Sequence, residues 1–352
     1  MTAVAVPRAP LADVEAVASG RRRRAREQMR TVSVLSGLTI ALFGLSLTIG
    51  STFYSPADVV RVILGEQVPA ASFTVGTLRL PRAVTALLTG VGFGIAGVVF
   101  QTLLRNPLAS PDIIGISSGA SAAAVFGIVV LSLSEGAVSA LALTGALATA
   151  LVIYVLSHRG GFAGTRLILT GIGIAAMLNA MVTFVLSRAA AWDLQAAMRW
   201  ISGSLNGANW TTVVTLALGC AVLAPLLISQ SRALSILHLG DDSAAALGLR
   251  VDRTRIILII CAVGLLAFAT AAAGPIAFVA FMAGPIAVRL VGSGSALVLS
   301  AGLVGAVLVM ASDLIGQFAF DTRYPVGVIT GVLGGPYLIF LLIRTNRAGG
   351  AI

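Results

Sequence analysis

Residues 78–119 read LRLPRAVTALLTGVGFGIAGVVFQTLLRNPLASPDIIGISSG, and this stretch decides the fold. Two arginines, Arg79 and Arg82, flank a proline at its start. An apolar, glycine-studded segment follows, long enough to cross a bilayer, which takes about 20 residues. The loop RNPLASPD (105–112) comes next, and its two prolines keep it from being helical. A second apolar segment opens on small residues, GISSGAS (115–121). The pattern predicts a charged collar, a membrane helix, a rigid hairpin and a return helix.

Composition places that unit in lipid. Of 352 residues, 58% are apolar and 10% charged, and the mean hydropathy is +1.01. A soluble domain carries about 25% charged residues, so this chain cannot cover a soluble surface. We read an all-α polytopic membrane protein of about ten transmembrane helices. The apolar runs put spans at 31–50, 82–104, 112–132, 136–157, 166–187, 210–229, 255–273, 276–291, 297–319 and 326–343. The first run is longer than a signal-peptide core and has no small-residue cleavage site, so it reads as an uncleaved span. The resulting organisation is a basic cytoplasmic tail at 1–30, a ten-helix domain at 31–345 and a short tail at 346–352. The longest inner loop, 230–255, holds DDSAAALGL, with aspartates where a helix dipole favours them.

The net charge is +10, and all 23 basic residues are arginine. With ten spans and both termini in the cytoplasm, 17 arginines fall inside and 6 outside, the bias expected of a multi-pass protein of the cytoplasmic (inner) membrane. That placement explains the charge without a nucleic-acid partner. Trp192, Trp200 and Trp210 cluster near one outer loop, as an interfacial belt requires. A P-loop needs a lysine on the β/γ-phosphates. The chain has none, so it carries no ATP site of that type and reads as a transport subunit rather than an enzyme. No His, Cys or carboxylate cluster has metal-ligand spacing; neither metal nor cofactor is expected. Cys220 and Cys261 lie in apolar runs and read as packing residues.

Three further patterns have two readings each. Gly92, Gly94 and Gly97 match a dinucleotide fingerprint, but no strand precedes them, and Gly90 with Gly94 forms GxxxG, which packs membrane helices. Gly115, Ser117 and Gly119 match a nucleophile elbow without its structural context, so the serines read as lining a polar path or satisfying backbone groups. Asp313 is an acidic group within a span, a functional candidate by default. It reads as a carboxylate bonded to a neighbouring helix or cavity, or as a proton relay. Asn179 reads as pore-facing or as a helix–helix hydrogen bond.

The motifs LRLPR (78–82), RNPLASPDIIGISSGA (105–120), RLILTGIG (166–173), ALGLRVDRTR (246–255), AGPIAFVAFMAGPIAVRL (273–290) and PVGVITGVLGGPYLIFLL (325–342) together resemble the iron-siderophore and vitamin B12 permease family (FecCD-type), the membrane half of an ATP-driven importer. The resemblance implies ten helices per subunit and two permease subunits around a central path, with a heterodimer favoured over a homodimer. It also implies two ATP-binding subunits inside and a substrate-binding protein outside. The implied cargo is an iron–siderophore complex, with haem or cobalamin as alternatives; the rival class is an ion-coupled secondary transporter. By the same resemblance Asn106, Leu108 and Thr165 match a cytoplasmic gate. Asp241, Asp242, Ala246, Leu247, Gly248 and Leu249 match the helix that couples to the ATPase. Arg79 and Arg82, sharing a helix face, would receive acidic residues of the binding protein, with Arg323 completing the patch. One departure stands out: relatives read APHIARRL or APQIARRL where this chain has AGPIAVRL (283–290).

Overall fold

A bilayer leaves backbone N–H and C=O groups no partner but each other, which favours helices throughout. The computed structural model describes residues 11–111, 115–157, 164–292 and 294–349, and no strand occurs among them. Ten apolar helices are found among the described residues. They are α1 (Leu11–Thr48), α2 (Ala71–Leu103), α3 (Ile116–Val129), α4 (Glu135–Ser157), α5 (Gly164–Leu186), α6 (Trp210–Ser229), α7 (Val251–Ala273), α8 (Val279–Val291), α9 (Leu297–Phe318) and α10 (Val326–Gly349). All but α3 and α8 are long and apolar enough to cross a membrane.

The two exceptions are informative. α3 has 14 residues and α8 has 13. At 1.5 Å per residue each reaches about 20 Å, short of a hydrocarbon core of about 30 Å. The expected span 276–291 is thus a short helix with a non-helical lead-in, and the helix within 112–132 begins at Ile116, with 112–114 outside the described residues. The causes are local. Gly115, with φ 93°, precedes α3. Gly274, with φ 71°, ends α7, Pro275 follows, and Phe278, with φ 64°, opens α8.

Other boundaries move outward. α1 starts at Leu11 rather than near residue 31, because its arginines and alanines favour helix and nothing after Pro10 breaks it. α2 starts at Ala71 rather than 82, and Thr74–Arg79 within it forms a π-helical turn. Pro81 lacks an N–H, and its ring crowds the carbonyl four residues back. The wider turn relieves that crowding, and the Leu80 N–H reaches the Val75 carbonyl instead.

α2 is the axis of the bundle and packs against α9, α7, α8 and α6. Its glycines permit close approach. A Cβ on Gly94 would lie 2.1 Å from the Ala301 carbonyl oxygen, and one on Gly305 would lie 2.1 Å from that of Gly90. The GxxxG pair therefore seats α2 on α9 backbone to backbone. The AGPIAVRL departure also has a packing consequence. Pro285 sits inside α8 and gives no N–H to the carbonyl of Phe281. Gln101 of α2 supplies the missing donor, its Nε2 lying 3.0 Å from the Phe281 oxygen. Gly284 makes room: a Cβ there would meet Gln101 Oε1 at 1.9 Å.

Candidate functional site

The turn that follows α2 and the lead-in to α8 lie at opposite ends of the bundle and open onto one recess of about 400 Å³. Leu108 and Ser110 line it from one side, and Pro275, Ala277 and Phe278 from the other. Irregular backbone at membrane depth persists only where protein buries it or where it lines a cavity, and here both segments line the same one. Ser117, Ser118 and Ser121 of α3 and Asn179 of α5 add hydroxyl and amide groups to the wall. Among the described residues that line it, none carries a charge. Most of these residues are apolar, so they offer a passing solute a few neutral hydrogen-bonding groups and no charge. Among the described residues no group of three or more His, Cys, Asp or Glu is placed to hold a metal.

Leu108 is positioned by a tight turn at the end of α2. The Asn106 side-chain oxygen accepts from the Leu108 N–H at 2.9 Å, and the Asn106 carbonyl accepts from Ala109 at 3.0 Å. An Asx turn of this kind fixes the backbone with one side chain. Thr165 lies in the first turn of α5, and its side chain is outside the described residues.

At the same end of the bundle, the short helix Asp241–Ala246 stands out from the body. Leu247 is 64% exposed, and Asp242, Ala246 and Gly248 are exposed beside it. The helix is shorter than the DDSAAALGL pattern implied. Gly248 takes φ 84°, its N–H bonds the Ala245 carbonyl, and that of Leu249 bonds Ala244, which closes the helix. Asp241 does not face solvent alone. Its Oδ1 accepts from Arg105 at 2.5 Å, and its two oxygens accept from Arg255 at 2.9 and 3.0 Å. Hydrogen bonding from Arg255, with the Arg105 charge beside it, holds this carboxyl below the usual carboxylate range against a smaller opposing effect of burial.

At the opposite end, Arg79 and Arg82 do not present a common free face. The two side chains leave α2 toward different neighbours. Arg79 turns to α1, where it donates to the carbonyls of Leu47, Thr48 and Thr52 at 2.9, 3.1 and 2.6 Å. Its guanidinium also stacks on Tyr54. A cation at those carbonyls is where the dipole of α1 favours one. Arg82 turns to α9 and makes a two-pronged pair with Asp313, at 3.0 and 2.7 Å. Its third nitrogen donates to Asn206 at 2.6 Å, and Gln317 donates to Asp313 at 2.7 Å. Arg323 is exposed in the loop between α9 and α10.

Sequence reasoning overlooked several members of these clusters. Gln317 lies four residues after Asp313 on one helix, a spacing that places two side chains together, and could have been found. Asn206, Arg105 and Arg255 gave no such signal; the two arginines read only as topology markers.

Residues 38–344 match the FecCD transport family. The achromobactin transport permease CbrC of Dickeya dadantii is 39% identical over 320 residues, covering 90% of this chain and 92% of its own. The ferric enterobactin transport permease FepG of Escherichia coli is 38% identical over 302 residues, covering 85% and 91%. The cobalamin import permease BtuC of Halobacterium salinarum is 35% identical over 274 residues, covering 77% and 74%. Among solved structures, a metal-chelate-type ABC transporter in an inward-facing conformation superposes with a TM-score of 0.80 at 25% identity, covering 90% of this chain and 99% of that one.

Proposed function

From the premise that this chain belongs to the FecCD transport family, we propose that it is the permease subunit of an ABC importer that moves an iron–siderophore complex into the cytoplasm, driven by ATP hydrolysis on a separate subunit. The observation that carries this reading is the largely apolar recess between the gate turn, α3, α5 and the non-helical lead-in to α8, with a few neutral hydroxyl and amide groups in its wall. It is a path element, not a tight binding site. The cargo assignment draws on the siderophore relatives, which cover more of this chain at higher identity than the cobalamin permease does.

In this reading the exposed segment Asp241–Leu249 is the ATPase contact, and Asn106, Leu108 and Thr165 form the cytoplasmic gate. The arginine bias puts both termini inside. A second, related permease subunit would cover α5, whose apolar side chains Leu169, Met177 and Phe184 are 66%, 74% and 58% exposed. A substrate-binding protein would dock at the Arg82 end. Since Arg79 and Arg82 are engaged internally, Arg323 would make the first contact there, and the other two would follow only by exchanging partners.

The test is uptake of a radiolabelled ferric siderophore into proteoliposomes that hold this chain, its second permease subunit and the ATPase, with the binding protein added outside. Uptake should require hydrolysable ATP, and cobalamin or haem should not compete. Uptake by this chain without any ATPase, driven by a proton gradient, would replace this reading with that of a secondary transporter.

A further inference from the structure

We infer that the Asp241 carboxylate is the joint through which movement of the exposed helix Asp241–Ala246 reaches the gate turn after α2, with Arg105 as its lever and Arg255 as its anchor. The inference rests on the proposed function and adds to it one positioning residue, Arg105, and a specific role for Asp241.

The first observation is backbone geometry. α2 ends in a complete Schellman motif: the Asn106 N–H bonds the Gln101 carbonyl at 3.0 Å, and the Arg105 N–H bonds that of Thr102 at 3.2 Å. The residue in the left-handed position of this motif is usually glycine, because a Cβ is strained there. This chain uses arginine, with φ 50°. A glycine would make both backbone bonds without the strain, so the side chain needs a reason of its own.

The second observation is where that side chain goes. Arg105 Nη2 donates to Asp241 Oδ1 at 2.5 Å and to the carbonyl of Leu237 at 3.3 Å, so it grips both sides of the loop that leads into the exposed helix. Arg105 is 46% and Asp241 48% exposed. Half-exposed pairs add little to stability because water and salt screen them. Stability alone therefore does not account for an arginine kept in a left-handed position.

The third observation is connectivity. Asp241 also binds Arg255 in the first turns of α7, and that side chain is only 9% exposed. One end of the joint is thus fixed in the body. The other end is covalently continuous with Asn106, whose side chain sets the pose of Leu108 on the recess wall. A push on Asp241–Ala246 has a short, hydrogen-bonded route to the gate: Asp241, Arg105, Asn106, Leu108.

The decisive variant is Arg105→Gly, which relieves the backbone and removes the lever. In the reconstituted four-component transporter it should fold with an unchanged or higher melting temperature and still bind the ATPase subunit. ATP hydrolysis should continue, while cargo moved per ATP falls at least tenfold. Arg105→Lys, which keeps the charge but not the two-acceptor reach, should recover part of that ratio. Asp241→Asn should lower it as Arg105→Gly does. A wild-type cargo-to-ATP ratio in Arg105→Gly would overturn the inference while leaving the importer reading intact. Failure of the wild-type chain to bind or use an ATPase at all would overturn that reading, and the inference with it.

Discussion

Asp313→Ala separates the two readings of the one carboxylate buried within α9. Removing it strips Arg82 of two charge-assisted hydrogen bonds, at 2.7 and 3.0 Å, and leaves Asn206 as its partner. The carboxylate is 6% exposed and the guanidinium 21%. Breaking a buried pair from one side costs about 3–5 kcal/mol, because the surviving charge stays desolvated. Water reaches part of Arg82, so the loss should fall at the low end, about 3 kcal/mol. Replacing both partners with apolar residues, Arg82→Leu with Asp313→Leu, removes the stranded charge and should cost less than either single change. The assay is a double-mutant cycle on unfolding of the purified chain in detergent. A coupling of about 2 kcal/mol or more is expected, with ATP-driven uptake partly retained in whichever variants fold. A proton relay would give the opposite pattern: Asp313→Asn would fold normally and abolish uptake. That outcome, or a coupling near zero, would refute the structural role.

Three further outcomes follow from other contacts. Gln101→Leu should cost about 1–3 kcal/mol in the same unfolding assay, because it leaves the buried Phe281 carbonyl without the donor that Pro285 cannot supply; an unchanged midpoint would mean another group supplies it. Leu108→Cys should crosslink to the equivalent position of the second permease subunit when the path is closed, and the crosslink should block uptake; transport at the normal rate despite it would place the gate elsewhere. Since its arginine partners depress the Asp241 carboxyl in the folded protein, the carboxylate's contribution is complete above the unfolded-state value of about 4 and is lost only as pH falls through the lower folded value. Cargo per ATP should therefore not change through Asp241 between pH 5 and 8, within roughly the stable range of most proteins, and an Asp241→Asn variant should show the same flat profile at a lower level.

The sequence was legible where one stretch of chain contains its own explanation. Apolar runs gave the number and order of the helices, and RNPLASPD announced a turn through its prolines. GxxxG announced a close helix contact, which α9 supplies. Hydropathy was mute where a helix stops inside the protein. Pro275, Ile276 and Ala277 are as apolar as a helix would be, yet they run as irregular backbone, because a recess can receive a segment that lipid cannot. Distance in the chain hid the rest. Arg82 and Asp313 are 231 residues apart, and Arg105 and Asp241 are 136 apart. An arginine at the end of a span has a sufficient explanation in topology, so nothing in its local context asks for a partner.

The placement of charge bears on how such a chain can move. α2 is tied by an arginine to a carboxylate elsewhere at two places: Arg82, just after its π-helical turn, to Asp313, and Arg105, just past its C-terminal end, to Asp241. Between those ties its glycines set its backbone against α9 and α8 at distances that admit no Cβ. Sliding α2 would break backbone-level contacts along its length, and close-packed interfaces of that kind switch between discrete states rather than deform. α5 is different. Only 11% of its span is buried, and it carries Asn179 on the recess wall. In the proposed importer, the gate turn that holds Leu108 and the helix α5 can therefore move against a fixed α2. In the same proposal the irregular segment 275–277 ahead of α8 can shift its side chains without breaking a helix.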